Sequence, residues 1–181
     1  MNINLKYGLI LFIIVMISAS VLAFVNTITE PKIAENKRIA EYNARKEVFP
    51  MAYTFVEFDT DEISFFKVYD QDENLLGYTF IATARDGYSG IIRTMVGLNH
   101  DMTINKINVL EHSETPGLGA KCTSPDFTSL FSGLRRADLF IDKDGGRITT
   151  ITGSTITTRA ITNSIRRKVD LLITFLENID D

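Results

Sequence analysis

Two short segments hold most of the residues able to do chemistry. The first, Thr152-Gly153-Ser154-Thr155-Ile156-Thr157-Thr158, gathers hydroxyls around one glycine where a long amphipathic pattern begins. Glycine permits a tight turn, and the free N–H groups of a helix's first turn attract anions. A phosphate would sit well there, with a threonine hydroxyl in reach. The plainer reading is a Ser/Thr helix cap, and on these residues alone it is the favoured one. The second segment is His112-Ser113-Glu114-Thr115-Pro116-Gly117-Leu118-Gly119. Pro116 fixes one φ angle and lacks an N–H, while Gly117 and Gly119 open conformations closed to other residues. Such a loop can press its backbone against a flat ligand, with His112 and Glu114 offering a donor and an acceptor to a heteroaromatic ring. It reads equally well as a glycine–proline turn carrying two solvated polar residues.

Other chemistries find less support. Only His100 and His112 are available as histidines, and no His-Glu-x-x-His spacing suggests a zinc hydrolase. There is no Gly-x-Ser-x-Gly elbow, Walker loop or Rossmann glycine fingerprint. Cys122 is the single cysteine, so an intrachain disulfide and a cysteine cluster are both excluded. It reads as a small core filler. Asp142 and Asp144 beside Gly145-Gly146 read as a tight turn. The net charge of −4 shows no basic stripe of the kind nucleic acid requires.

The elements that must position the two segments follow from periodicity. Tyr53–Phe58, Ile63–Tyr69, Gly77–Ala84, Gly90–Leu98 and Thr103–Leu110 are short runs rich in β-branched and aromatic residues. Asp59-Thr60-Asp61, Asp70–Asn74, Asp86-Gly87 and Asn99–Asp101 separate them with turn chemistry. The spacing predicts antiparallel strands of a half-buried sheet. Asp126–Leu134 reads as a short helix. From Thr155 to Ile179 the period changes: Ile161, Ile165, Val169, Leu172 and Leu176 form one helical stripe, with Arg159, Arg166, Arg167 and Lys168 largely off it. The fold class expected is α+β, a twisted antiparallel sheet with flanking helices, preceded by a single N-terminal transmembrane helix.

That helix is read from Tyr7 to Val25, which carries no charge. At about 1.5 Å per residue it spans close to the ~30 Å hydrocarbon core. Ser18-Ala19-Ser20 offers a signal-cleavage alternative, but the apolar run continues past it through Val25, which favours an uncleaved anchor. The flanking charges, Lys6 against Lys32, Lys37, Arg38 and Arg45 mixed with three glutamates, leave the orientation open. Beyond Pro31 the charged segment Lys32–Val48 is either a continuing helix or a solvated spacer, ended by Pro50. The division expected is an anchor over 1–29, a juxtamembrane helix or linker over 30–50, and one domain over 51–181.

Taken in order and spacing, three stretches resemble a known family: GYSGIIRTMVGLN (Gly87–Asn99), INKINVLEHSETPGLGAK (Ile104–Lys121) and ITTITGSTITTRAITNSIRRKV (Ile148–Val169). The family is the covalently flavinylated FMN-binding subunit of membrane redox pumps. It comprises the G subunit of the Rnf electron transport complex and the related C subunit of the sodium-pumping NADH:quinone reductase, and the compact chain is more similar to the Rnf member. The resemblance implies an electron-transfer subunit of a membrane-bound ion-translocating oxidoreductase, not a complete enzyme alone. It implies FMN esterified through its phosphate to Thr155 by a flavin transferase, within a turn formed by Thr152, Gly153 and Ser154. It further implies a ring site built from Glu114, Thr115, Gly117, Leu118 and Gly119, with His112 near them. The implied partners are the other membrane subunits of the complex. The implied location is the cytoplasmic membrane, with the flavin domain on its extracytoplasmic face. The chain departs from the family pattern twice: Ser154 replaces an alanine, and Thr149 stands where an aspartate is usual. Two other functions remain open at this point. One is a stand-alone membrane-anchored FMN module in extracytoplasmic electron transfer; the other is a structural protein without flavin.

Overall fold

A computed structural model describes residues 3–60 and 62–180, without the side chains of residues 3–5, 179 and 180. The expected turn residue Asp61, and residues 1, 2 and 181 of the expected domains, lie outside the described residues. The chain divides into two compact units, Met1–Ala40 and Glu41–Asp181.

The first unit is helical and belongs to α1 (Ile3–Val48), which runs on through Pro31. Its apolar side chains, among them Leu9, Phe12, Leu22 and Phe24, are exposed all round. A helix that is apolar on every side and unburied has the character of a membrane span. It is long and apolar enough to cross one. Three of its hydroxyls are satisfied internally: Ser20, Thr27 and Thr29 donate to the carbonyls of Met16, Ala23 and Val25 at 2.8, 2.9 and 2.9 Å. Such back-bonding hides polar groups from a medium that offers them no partner.

The second unit is built on one sheet of β1 (Thr54–Asp59), β2 (Ser64–Tyr69), β3 (Leu75–Ala84), β4 (Ile92–Asn99) and β5 (Ile104–Glu111). The strands lie in sequence order and every neighbouring pair is antiparallel. After β5 come α2 (Pro125–Thr128) and, following several 3-10 turns, α3 (Thr155–Asp180). The α+β expectation therefore holds, and the topology is an uninterrupted meander.

Each face of the sheet has its own cover. On one, Phe80, Ala82, Ile92, Val96 and Leu98 pack in a core with Ile161, Ile165, Val169 and Leu172 of α3. On the other, Ala44 and Val48 from the last turns of α1, with Phe49, pack on Val68 and Met95. The expectation of a half-buried sheet holds at β2 and β5 and, with still more exposure, at the outer strand β1; β3 and β4 are buried over most of their length. Gly97 records how closely the second cover approaches, since an added Cβ would lie 3.0 Å from the Val48 side chain and 3.1 Å from its carbonyl.

The expected helix over Asp126–Leu134 is instead a single α-turn, α2, followed by a 3-10 turn at Ser129–Phe131. Phe127, Phe131 and Leu134 do have helical spacing and are buried. The chain leaves the helix because Gly133, at φ 76°, turns it back onto the start of β5. There Gly133 N–H donates to the Ile104 carbonyl at 2.7 Å and Ile104 N–H to the Leu134 carbonyl at 2.8 Å. Sheet pairing outcompetes one more helical turn.

The α3 stripe sets a stability test. Ile161 is fully buried while Leu171, on the same helix, is 52% exposed. Ile161→Ala should cost about 2–5 kcal/mol, and Leu171→Ala less than about 0.5 kcal/mol. Urea titration of the detergent-solubilised full chain checks the contrast, and equal losses would contradict this packing.

Candidate functional site

The hydroxyl-rich turn leads into α3 as the spacing suggested. Gly153 takes φ 77°, Ser154 N–H closes a turn on the Ile151 carbonyl at 2.8 Å, and the helix begins at Thr155. The first helical bond runs from Thr158 N–H to the Ser154 carbonyl at 3.1 Å, which leaves the amides of Thr155, Ile156 and Thr157 without intrahelical acceptors. The threonines divide their tasks. Thr158 Oγ1 donates to the Ser154 carbonyl at 3.0 Å and accepts from Ile151 N–H at 3.2 Å, locking the turn from beneath. Thr157 Oγ1 donates to Glu114 Oε2 at 2.9 Å. Among the described residues Thr155 has no such partner for its hydroxyl, and it is half-buried where Ser154 is buried.

The upstream loop closes on this turn. Gly117 takes φ 79°, and the amides of Leu118 and Ala120 both donate to the Thr115 carbonyl at 3.2 Å. Leu118 then reaches over Gly153, where its Cδ2 lies 3.2 Å from the position of an added Cβ. Glu114 joins three segments: besides Thr157, its Oε1 accepts from the Ser89 amide at 3.2 Å. A side chain at Gly119 would collide with the Glu114 carboxylate, so glycine is required there by close approach.

Between the two segments lies a cavity of about 560 Å³, within the ~300–1,000 Å³ typical of small-molecule sites. Glu114, Thr115, Leu118, Gly119, Gly153, Ser154 and Thr155 line it, together with Tyr88, Ile156 and Thr157. Seven expected residues thus meet in one place. Thr152, Gly117 and His112 do not line it: Thr152 and Gly117 are exposed, the latter serving the turn, and His112 Nδ1 accepts from the Glu114 amide at 3.2 Å. Sequence reading missed Tyr88, Ile156 and Thr157. Ile156 and Thr157 follow from the first turn of α3 once Thr155 is placed. Tyr88 lies within the family-like stretch Gly87–Asn99, but nothing local assigned it to the site, because only the meander brings the β3–β4 loop to the cavity.

Nearby charges are spoken for elsewhere. Arg159 pairs with Asp144 through contacts of 2.9 and 2.8 Å, and this partner holds the Asp144 carboxyl below the usual carboxylate range. Arg147 lies 3.5 Å from Asp138. Neither arginine lines the cavity, nor does Thr149, which is exposed. No cluster of metal-ligating side chains occurs among the described residues. An anion here is met by helix amides and hydroxyls rather than by a cation.

Comparison with known proteins gives this geometry its context. Residues 87–170 match the FMN-binding domain and residues 1–48 the RnfG N-terminal region. The G subunit of an ion-translocating oxidoreductase complex from Methanosarcina acetivorans is 31% identical over 167 residues, covering 87% of this chain and 88% of that protein. The chain belongs to the RnfG family of ion-translocating oxidoreductase complexes. The G subunit of the Na(+)-translocating ferredoxin:NAD(+) oxidoreductase complex of Acetobacterium woodii is 33% identical over 187 residues, covering 92% of this chain and 90% of that one. The C subunit of a Na(+)-translocating NADH-quinone reductase from Parabacteroides distasonis shares the fold, with a TM-score of 0.54 at 18% identity over 70% of this chain and 79% of that one. The residues present fit an FMN. The partly open apolar side chains of Tyr88, Leu118 and Ile156 can face a ring, while the free amides at the start of α3 and the unpartnered Thr155 hydroxyl suit a phosphate.

Cys122 lies behind this site and is fully buried. Burial, and next the Glu114 carboxylate, push its thiol up to about 11. The raised value means the folded state holds the proton more tightly than the unfolded chain, whose cysteine titrates near ~8.5. The associated stability is present below that unfolded value and is lost as pH rises through the folded one. The native protein should therefore resist iodoacetamide at pH 8 and react once unfolded. Mass spectrometry of the alkylated protein checks this, and rapid native labelling would contradict it.

Proposed function

We propose that this chain is the FMN-carrying electron-transfer subunit of a membrane-bound ion-translocating oxidoreductase complex, with the FMN phosphate esterified to Thr155. The observation that carries the attachment is the singular state of that hydroxyl. Thr157 and Thr158 spend theirs inside the protein, Ser154 is buried, and Thr152 stands off the cavity. Thr155 alone among them lines the cavity, remains half-buried and lacks a partner.

FMN supplies the redox chemistry, accepting electrons in pairs and releasing them singly. The protein supplies place and field. The first-turn amides of α3 offset the phosphodiester charge, an effect worth about 0.3–1 kcal/mol at an exposed helix end. Leu118, Ile156 and Tyr88 would offer the ring apolar surface, and Glu114 and Gly119 line the same cavity.

Attachment requires a flavin transferase as a maturation partner, and the other membrane subunits of the complex are the working partners. The domain is placed on the extracytoplasmic face of the cytoplasmic membrane, held by α1. There no FMN pool replaces a lost cofactor, so a covalent ester suits the location.

Intact mass and a peptide map of residues 149–159, taken on protein made together with its flavin transferase, test the assignment. One FMN phosphoester should appear on Thr155. Thr155→Ala should abolish it, whereas Ser154→Ala should leave it. Covalent flavin persisting in Thr155→Ala would make Thr155 the wrong residue.

A further inference from the structure

Glu114 is the one buried glutamate among the described residues, 5% exposed, and its carboxylate faces the cavity. No lysine or arginine pairs with it among the described residues. Its two oxygens are held by neutral donors alone, the Ser89 amide and the Thr157 hydroxyl. Hydrogen bonds from neutral donors do not cancel a carboxylate's charge. The group is also immobilised. Its own backbone amide donates to His112 Nδ1, an added Cβ at Gly87 would sit 3.0 Å from Oε1, and Gly119 leaves no room on the other side. The carboxylate's reach is visible at Cys122, whose thiol it helps to raise.

We propose that Glu114 sets the redox potential of the cofactor in this cavity, acting as a fixed and uncompensated negative charge in the cavity wall. The proposal rests on the FMN reading of the cavity. A buried charge acts through a low-dielectric medium and is screened far less than a surface one. Negative charge arriving on the ring during reduction is disfavoured beside a carboxylate that has no countercharge. The flavin is therefore harder to reduce, and its midpoint potential is lower than the same site would give with a neutral residue. The Thr157 bond has a second consequence, because it fixes the charge relative to the helix turn that bears Thr155.

Spectroelectrochemical titration of the flavin-loaded full chain tests this. Glu114→Gln keeps the side-chain volume and an acceptor for the Ser89 amide while removing the charge. It should shift the midpoint to more positive potential, whereas Glu114→Asp, which keeps the charge, should shift it far less even though its packing is poorer. An unchanged midpoint in Glu114→Gln with flavin still bound overturns the proposal, as do equal shifts in both variants. If Glu114→Gln fails to fold, the wild-type chain labelled with 13C-glutamate still decides. A glutamate-carboxylate band that shifts on flavin reduction in the infrared difference spectrum, and that is missing from equally labelled Glu114→Asp, supports the proposal, and its absence from the wild type overturns it. Wild-type protein that takes up no flavin at all overturns the FMN reading itself, and the proposal with it.

Discussion

The hydrogen bond between Glu114 and Thr157, 2.9 Å long and buried, is the contact on which the site depends. It ties the loop after β5 to the first turn of α3, and through Ser89 the same carboxylate holds the β3–β4 loop. Its energetics do not recommend it as a source of stability. Taking a carboxylate out of water costs several kcal/mol, and hydrogen bonds to a charged group return about 1.5–3 kcal/mol each. The two nearly cancel, whereas an apolar residue at this position would need no such compensation. What the arrangement secures is geometry, since the one carboxylate joins the loop after β5 to both the β3–β4 loop and the first turn of α3. The absence of a side chain at Gly119 is the counterpart of that choice.

The sheet lets this contact form by presenting a rigid face to α3. Thr157 and Thr158 point toward the protein because Ile161 and Ile165, one turn and two turns on, are buried against β3 and β4. On the opposite face, residues from Glu41 onward bind β4 and β5 of the same sheet. Glu41 pairs with Arg93 at 2.7 Å, Glu47 with Lys106 at 2.7 Å, and Asn105 Nδ2 donates to the Val48 carbonyl at 2.6 Å. Arg45 lies over the Phe66 ring at 3.5 Å with its Nε unpartnered, and burial lowers its pKa. The site is thus carried by a sheet braced from both sides.

Much of this was legible in the amino-acid order, and the failures share one cause. The five strands, the α3 stripe and the two site segments all declare themselves by local periodicity or by turn residues. The strand expected over Gly90–Leu98 forms at Ile92–Asn99, a shift of the size that strand ends commonly show. The double burial of β3 and β4, the breaking of the 126–134 helix and the arrival of Tyr88 at the cavity are tertiary effects. Each depends on a segment distant in sequence, namely the end of α1, the start of β5 and the meander itself. His112 illustrates the opposite limit. Its type and position suggested a ligand contact, yet the local turn uses its ring nitrogen to hold the Glu114 amide.

The openness of the cavity gives the proposed covalent tether a physical reason. Tyr88, Leu118 and Ile156 are 69%, 47% and 50% exposed, so the ring's apolar walls are shared with solvent. No cation lines the cavity, and a helix amino terminus contributes at most about 2 kcal/mol toward a phosphate, roughly a 30-fold gain in affinity. Such a site exchanges its cofactor readily. Closing the walls would retain FMN by burial, but it would also distance the ring from any electron donor or acceptor docking on that side. The proposed ester at Thr155 would remove the conflict, because retention would no longer depend on enclosure and the ring could stay close to the surface. The free hydroxyl at the start of α3 and the exposed rim around it are therefore two parts of one solution.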